Sequence, residues 1–427
     1  MGARVEVVEE QPARLTRDRN FALLWVGEVL SDTGSQVTAT AMPLLVLYLT
    51  GSAADAGLIG VAGSIAYPVA ALPAGVLADR LDRRRLMMAS ALLRLVAIAS
   101  VPIAFAFGRP TLAQLVVVAL ANATLFSVAA VAERGLVGEI VPAPAYPEAV
   151  TLNEARSAVA VTAGPPLGGV LFAVSRGLPF VADSASFLAV FVALLALRIP
   201  RRRPTTARES RAMSLAGVVH EVIEGARWLL GQPFLRAGAV LYAALNVSIA
   251  ALRLLGLLIA HRHGASAAAI GAMFAIVGAG GVLGAVIAGP LRRRLSARWA
   301  VLAEPWSDAV FMPLLLVVHS AWAIGVLVGV MLLPMTLSTA VIAGGRLALT
   351  PDRLRGRVQA SSMLVSSSIA WVGPLAIGLL FQYVGETASV LALAGWALAV
   401  AVVATAAPAL GYDPEPSSGS SRSGADR

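Results

Sequence analysis

The chain contains no cysteine, so disulfides, zinc-thiolate sites and thiol catalysis are excluded. It contains no lysine; all 33 basic residues are arginine. Histidine is confined to His220, His261, His263 and His319, which place no metal-ligand cluster on one helix, so no metal is expected. There is no Walker-type phosphate loop, which argues against ATP drive, and no metal, nucleotide-phosphate or triad pattern that would point to an enzyme. No cofactor is expected. Charge of either sign is scarce. Asp, Glu, Lys and Arg make up 13% of 427 residues and hydrophobic residues 58%, against about 25% and about 45–50% in ordinary globular domains. A soluble fold could not cover that much apolar core with so little charge.

What is present is a series of apolar runs. Twelve are long enough to cross about 30 Å of hydrocarbon as helices: 21–49, 57–78, 86–107, 112–133, 149–174, 178–197, 235–260, 267–289, 299–318, 321–345, 359–383 and 387–409. Helices are required because a membrane-spanning backbone must satisfy its own hydrogen bonds. A β-barrel would need alternating segments of about ten residues, and these runs are continuous and longer. The net charge of +9 sits in short arginine clusters between the runs, so no nucleic-acid partner is expected.

Arginine placement sets the expected orientation. Arg14, Arg17 and Arg19, Arg80 and Arg83–Arg85, Arg198 and Arg201–Arg203, Arg292–Arg294, and Arg353, Arg355 and Arg357 fall on one side; the other side has little beyond Arg109, Arg176 and Arg262. Both termini are therefore expected in the cytoplasm. Residues 1–20 read as a cytoplasmic arm rather than a cleavable signal, because Glu9 and Glu10 mix with the arginines and no short apolar run ends in a small-residue site. Residues 410–427, rich in Pro, Ser, Gly and charge, read as a disordered cytoplasmic tail.

Residues 198–234 form the longest connection and are expected to hold an amphipathic helix from Leu215 to Leu230. They separate a six-helix half at 21–197 from a second at 235–409. An offset of 209 carries Pro142 onto Pro351, Gly164-Pro165 onto Gly373-Pro374, Gly169 onto Gly378 and Gly75 onto Gly284. One register serving separated motifs points to duplication. Parallel repeats of this kind place a substrate path between the halves, near the bilayer midplane.

Two motifs carry a family resemblance. Gly75-Val76-Leu77-Ala78-Asp79-Arg80-Leu81-Asp82-Arg83-Arg84-Arg85 resembles the loop between the second and third helices of the major facilitator superfamily, with Asp82 where the family usually has Gly. Gly164-Pro165-Pro166-Leu167-Gly168-Gly169 resembles the antiporter motif of the superfamily's exporters, with Ala160 in place of its first Gly. Asn20-Phe21, Leu24-Trp25, Ser31, Gly34 and Arg355-Gly356-Arg357-Val358 are similar to the drug-efflux branch, which includes macrolide, multidrug and siderophore exporters. The resemblance implies an all-α membrane protein with twelve transmembrane helices in two pseudo-symmetric halves, monomeric, in a bacterial cell membrane. It implies a proton-coupled exporter whose partners are a small amphipathic substrate, protons and membrane lipids. Two alternatives stay open: a lipid-handling or non-transporting protein on the same fold, and, within export, a siderophore rather than a drug. The arginine that the family carries in the middle of helix 4 is missing, and Arg134 lies at that helix's cytoplasmic end instead.

Ionisable side chains inside a membrane are costly and mark function by default. Glu28 and Asp32 lie one turn apart on helix 1 and share a face with Ser35 and Gln36. Burial favours the neutral form of a carboxyl, which suits proton exchange. Asn246 and Arg253 share a face of helix 7, where Arg253 either pairs with an acid or meets an anionic substrate group. Arg94 on helix 3, with Glu304 and Asp308 on helix 9, falls on helices that are peripheral in the superfamily; these three are either scaffold pairs or the lining of a lateral opening. Asp183 reads as structural. By resemblance, Asp79 meets the cytoplasmic end of helix 11, and Arg80, Arg83 or Arg84 meets Glu133, as a gate. Gly164, Pro165, Gly168 and Gly169 read as a tight packing surface.

Overall fold

A computed structural model of the protein describes residue 15 and residues 18–198, 215–292 and 294–411. Most of the expected arm, the expected tail beyond residue 411, and residues 199–214 and 293 lie outside these. The described regular structure is helical: α1 (Arg19–Thr50), α2 (Ala53–Arg80), α3 (Arg83–Ala106), α4 (Leu112–Ile140), α5 (Tyr146–Val174), α6 (Leu178–Ala196), α7 (Leu215–Gly231), α8 (Pro233–Arg262), α9 (Ala267–Arg292), α10 (Ala297–Phe311), α11 (Ala321–Met331), α12 (Met335–Leu349), α13 (Arg355–Ser367), α14 (Val372–Tyr383) and α15 (Glu386–Ala406). Ten helical segments among the described residues are long and apolar enough to cross a membrane, so this is a multi-span membrane protein. The tenfold count is lower than the twelve runs expected. α1 is diluted by Glu28, Asp32 and Gln36, and α10 is short, giving way to a 3-10 turn at Met312–Leu316 beside Pro313.

The helix ends follow from side-chain caps. Asp18, Ser52, Asp82 and Thr111 each accept a hydrogen bond from the backbone N–H three residues on, using donors that a helix start leaves free. Asp82 is thus the cap of α3, its carboxylate accepting from Arg85 N–H at 2.9 Å, and its φ of −61° needs no glycine. Three expected continuous spans are broken. The run 321–345 splits into α11 and α12 around Pro334, and 299–318 ends in the 3-10 turn. The run 359–383 breaks between α13 and α14, where Pro374 cannot donate to the Ala370 carbonyl and short-range bonds such as Gly373 N to Ala370 O replace the α pattern.

Packing repeats itself. α1 lies against α5 and α6, α2 against α4, and α3 against α4 and α6. In the second set α8 lies against α13, α14 and α15, α9 against α11, and α10 against α12 and α15. The two sets meet along α5–α9 and α2–α14. Glycine permits both meetings. A Cβ on Gly169 would lie 2.2 Å from the Ala267 carbonyl oxygen, and one on Gly378 would lie 2.9 Å from the Ala53 carbonyl oxygen. These are the two positions that the 209-residue offset equates.

The apolar clusters differ between the two ends. At the arginine-poor end one cluster joins both sets, from Leu45, Ile98, Leu115 and Phe180 to Leu255, Ile270 and Ile377. At the arginine-rich end each set has its own, with Leu136 and Leu194 in one and Leu302 and Val358 in the other. α7, covering the expected amphipathic helix, is strapped to α13: Arg357 bonds Glu221 at 2.9 Å and also Glu224, and Ser361 Oγ donates to Val222 O at 2.7 Å.

The α5–α9 contact makes a direct prediction. Gly169→Ala must push two backbones apart, and overpacking of this kind costs about 1–3 kcal/mol. The melting temperature in detergent should fall by several degrees. Gly138→Ala, whose added Cβ meets nothing within 4 Å, should melt like the parent; equal melting of the two variants would remove the contact's importance.

Candidate functional site

The polar face of α1 looks into the first helix set. Glu28 is buried there, and one turn on Asp32 reaches α5, where Arg156 Nε lies 2.8 Å from its Oδ2, a charge contact without hydrogen-bond alignment. The same guanidinium grips Glu133 of α4, with Nη1 at 2.5 Å and Nη2 at 3.3 Å from the two carboxylate oxygens. Arg156 thereby ties α1, α4 and α5 together at one point. Its side chain is 11% exposed, Glu133 12% and Asp32 20%. A bidentate pair at that depth is held by both charge and geometry.

A second arginine lies deeper. Arg94 Nε donates to Asn122 Oδ1 at 2.8 Å and Nη2 to Ser35 Oγ at 2.9 Å. Its guanidinium carbon sits 4.2 Å from the Phe187 ring centroid and 5.2 Å from that of Phe126, an arrangement that partly replaces lost hydration. Asp183 on α6 is fully buried and accepts from Thr38 Oγ1 at 2.6 Å, the structural role expected of it. Glu28, Asp32, Arg94, Glu133 and Arg156 all line one cavity of about 440 Å³.

Several expectations are corrected. Glu133 meets Arg156 and not the arginines of the α2–α3 loop. Arg83 pairs with Glu139 at 2.9 Å and with Gly135 O, and Arg84 donates to Leu194 O and Leu195 O. Both therefore tie α3 to α4 and α6 within one helix set instead of latching the two sets together. Asp79 and Arg80 are exposed at the end of α2; among the described residues Asp79 makes no hydrogen bond or ion pair. Arg94 does not face a lateral opening, because it points between α1, α4 and α6. Glu304 and Asp308 are buried, with no basic side chain in ion-pair range among the described residues, and Glu304 Oε2 lacks a hydrogen-bond partner. Asn246 does not face substrate space. Its amide donates to Ser366 O at 2.8 Å, serving the helix break after α13.

Arg253 does face open space. It lines a cavity of about 530 Å³ between the sets, together with Ser35, Thr38 and Asn122, and an adjoining one of about 290 Å³ with Gln36, Pro165 and Phe274. Gly164 and Gly168 bring α5 onto α1, where added Cβ atoms would lie 2.4 Å from Gln36 Cβ and 2.7 Å from Val37 O. At the arginine-poor end His263, His319 and Glu386 gather with ligating atoms within 4.8 Å, a cluster assembled from three segments that no single-helix search could find. Arg262 already lies 3.6 Å from the same carboxylate.

Arg156 is the member of the site that sequence reasoning missed. It is a charged residue early in an apolar run, but two positions after Glu154 it looks like part of a solvated helix end. Only folding shows that it points at two acids on other helices.

Comparison with known proteins agrees with this architecture. Residues 13–417 match the family described as transmembrane secretion effector (MFS_3). The chain is 28% identical to the multidrug efflux pump Tap of Mycobacterium tuberculosis over 405 residues, 91% of this chain and 93% of that protein. To Tap of Mycolicibacterium fortuitum it is 30% identical over 233 residues, 53% of this chain and 56% of that protein. A solved nucleoside transporter, NupG, superposes with a TM-score of 0.71 at 11% identity, over 93% of this chain and 100% of that one. A POT family transporter in complex with 5-aminolevulinic acid gives 0.71 at 12%, over 92% and 96%. These proteins are transporters and not enzymes. Matched along nearly all of its length and sharing their fold, the chain belongs to the transmembrane secretion effector family of the major facilitator superfamily.

Proposed function

We propose that the protein is a proton-coupled exporter of small amphipathic compounds that works by alternating access between two six-helix halves. The observation that carries this reading is the cluster around Arg156: ionisable side chains from three helices, buried and joined, on a cavity wall. Carboxyls outnumber guanidiniums there, with Glu28, Asp32, Glu133 and Glu154 against Arg94, Arg134 and Arg156. Uncompensated charge at such depth is costly, so the cluster is suited to taking up and releasing a proton, and each change would redraw the contacts between α1, α4 and α5. The similarity to Tap, a multidrug efflux pump, supports export.

In this reading all twelve apolar runs are spans, α1 and α10 included, with the arginine-rich end and both termini in the cytoplasm of a bacterial cell. The shared apolar cluster then closes the outer end, while the separate clusters at the cytoplasmic end leave it free to part. Exposed Asp79 fits such an inward-facing state, as a latch that engages only when the cytoplasmic end closes. Tap-like export also explains the tight α5 motif, which keeps the halves in register as they rock.

Three outcomes are expected. In vesicles loaded with a fluorescent dye, a protonophore should abolish uphill dye movement while ATP is unchanged; movement that persists without a gradient would falsify proton coupling. Asp32→Asn should keep the fold and gradient-free exchange but lose gradient-driven transport by at least about tenfold, equivalent to about 1.4 kcal/mol of barrier. Normal pH-driven export by this variant would make Asp32 structural. Arg156→Ala strands two carboxylates and should destabilise the protein by about 3–5 kcal/mol, measured as detergent-phase melting, with Arg156→Ala/Glu133→Ala recovering part of the loss.

A further inference from the structure

Every arginine in the interior of the first helix set has an acceptor suited to it; Arg253 has none of that quality. Its one hydrogen bond runs from Nη2 to Gln36 Oε1 at 3.4 Å, and its guanidinium carbon lies 5.6 Å from the Phe274 ring centroid. Among the described residues no carboxylate comes within ion-pair distance. The nearby acids are committed elsewhere: Asp32 and Glu133 to Arg156, and Asp183 to Thr38. A guanidinium carries five N–H donors in a planar fork that matches a carboxylate. Here four of the five are left to the cavity.

The cavities themselves are selective. Arg253 lines both the 530 Å³ space and the 290 Å³ space beside it, and neither wall contains an aspartate or glutamate among the described residues. The wall around it is otherwise mostly apolar, with Met42, Ile59, Leu257 and Phe274. Glu28, Asp32 and Glu133 instead line the third cavity. Spaces of this size are those of small-ligand sites, which pair apolar walls with a few placed polar groups. An unpaired cation in the membrane is costly, and an anion entering the cavity would remove that cost.

We propose that the central cavity binds an amphipathic organic anion, whose anionic group docks on Arg253 and whose apolar body lies against Phe274 and the α1–α2 wall. This rests on the export reading for its setting and deepens it by assigning the charge of the substrate. It also links the two sites. Gln36, which accepts from Arg253, is pressed by Gly164 of α5 and shares the wall of the acid-lined cavity with Asp32 one turn earlier. A rotation of α1 that follows a change at Asp32 therefore moves the partner of the anion-binding group.

The test uses three probes of one size and different charge: 1-naphthoate, 1-naphthamide and 1-naphthylmethylammonium. Binding to the full chain in detergent is measured by calorimetry, and melting is measured in parallel. The parent should bind naphthoate at least tenfold more tightly than the amide and reject the ammonium. Arg253→Gln should erase the preference without loss of melting temperature, and Arg253→Lys should keep part of it. Two results overturn the proposal: equal binding or no binding of naphthoate and naphthamide by the parent, or an unchanged preference in a folded Arg253→Gln. If Arg253→Gln melts early, Arg253→Lys, which keeps the charge, decides: a folded variant with no preference for naphthoate over naphthamide overturns the proposal. The export reading fails separately, in the dye-loaded vesicles. Gradient-driven dye movement with no charge preference at Arg253 sinks only the present inference, and naphthoate selectivity without gradient-driven movement sinks only export.

Discussion

A guanidinium placed among membrane helices is costly without a counter-charge, and Arg156 finds two. By holding Asp32 of α1 and Glu133 of α4 from its place on α5, it converts three separate helices into one electrostatic unit. The surrounding design follows from that need. Arg94 takes neutral acceptors and aromatic faces, leaving Asp32 of α1 to Arg156. The α5 glycines bring the helix near enough to α1 for the Arg156 bridge to close. Because the bridge depends on charge, its strength changes with protonation, whereas the glycine contacts beside it do not.

Much of the architecture was legible in the sequence because its physical signals are local. Hydrophobic runs located the helices. The linker helix, expected at Leu215–Leu230, lies at Leu215–Gly231. The offset that equates Gly169 with Gly378 names two residues that occupy matching places in the two inter-set contacts. The breaks in the later spans were less legible, although Pro334 and Pro374 mark them, because proline inside a membrane helix is compatible with a bend as well as an interruption.

The site was legible only as an inventory. Glu28, Asp32 and Arg94 were evident as costly residues, but a one-dimensional pattern says nothing of which helix faces which. Arg94 therefore looked peripheral and proved central, while Asn246 looked like a substrate contact and proved to serve a carbonyl freed by a helix break. Glu133 was expected to meet loop arginines nearby in space and instead meets Arg156, 23 residues along the chain. The missing information in each case was the rotational setting of a helix about its own axis, which tertiary packing decides.

The two glycine seams, α5 on α9 and α2 on α14, have a mechanical consequence. Backbone pressed against backbone has no long side chains to repack, so in the proposed alternating-access cycle each seam would act like a knife-edge bearing for the two helix sets. The apolar clusters at the two ends would then be the loads on opposite arms of a balance. Surface exposed by separating one end would be offset by surface buried at the other, keeping the energy difference between the two tilts small, and a few charges near the fulcrum would tip it.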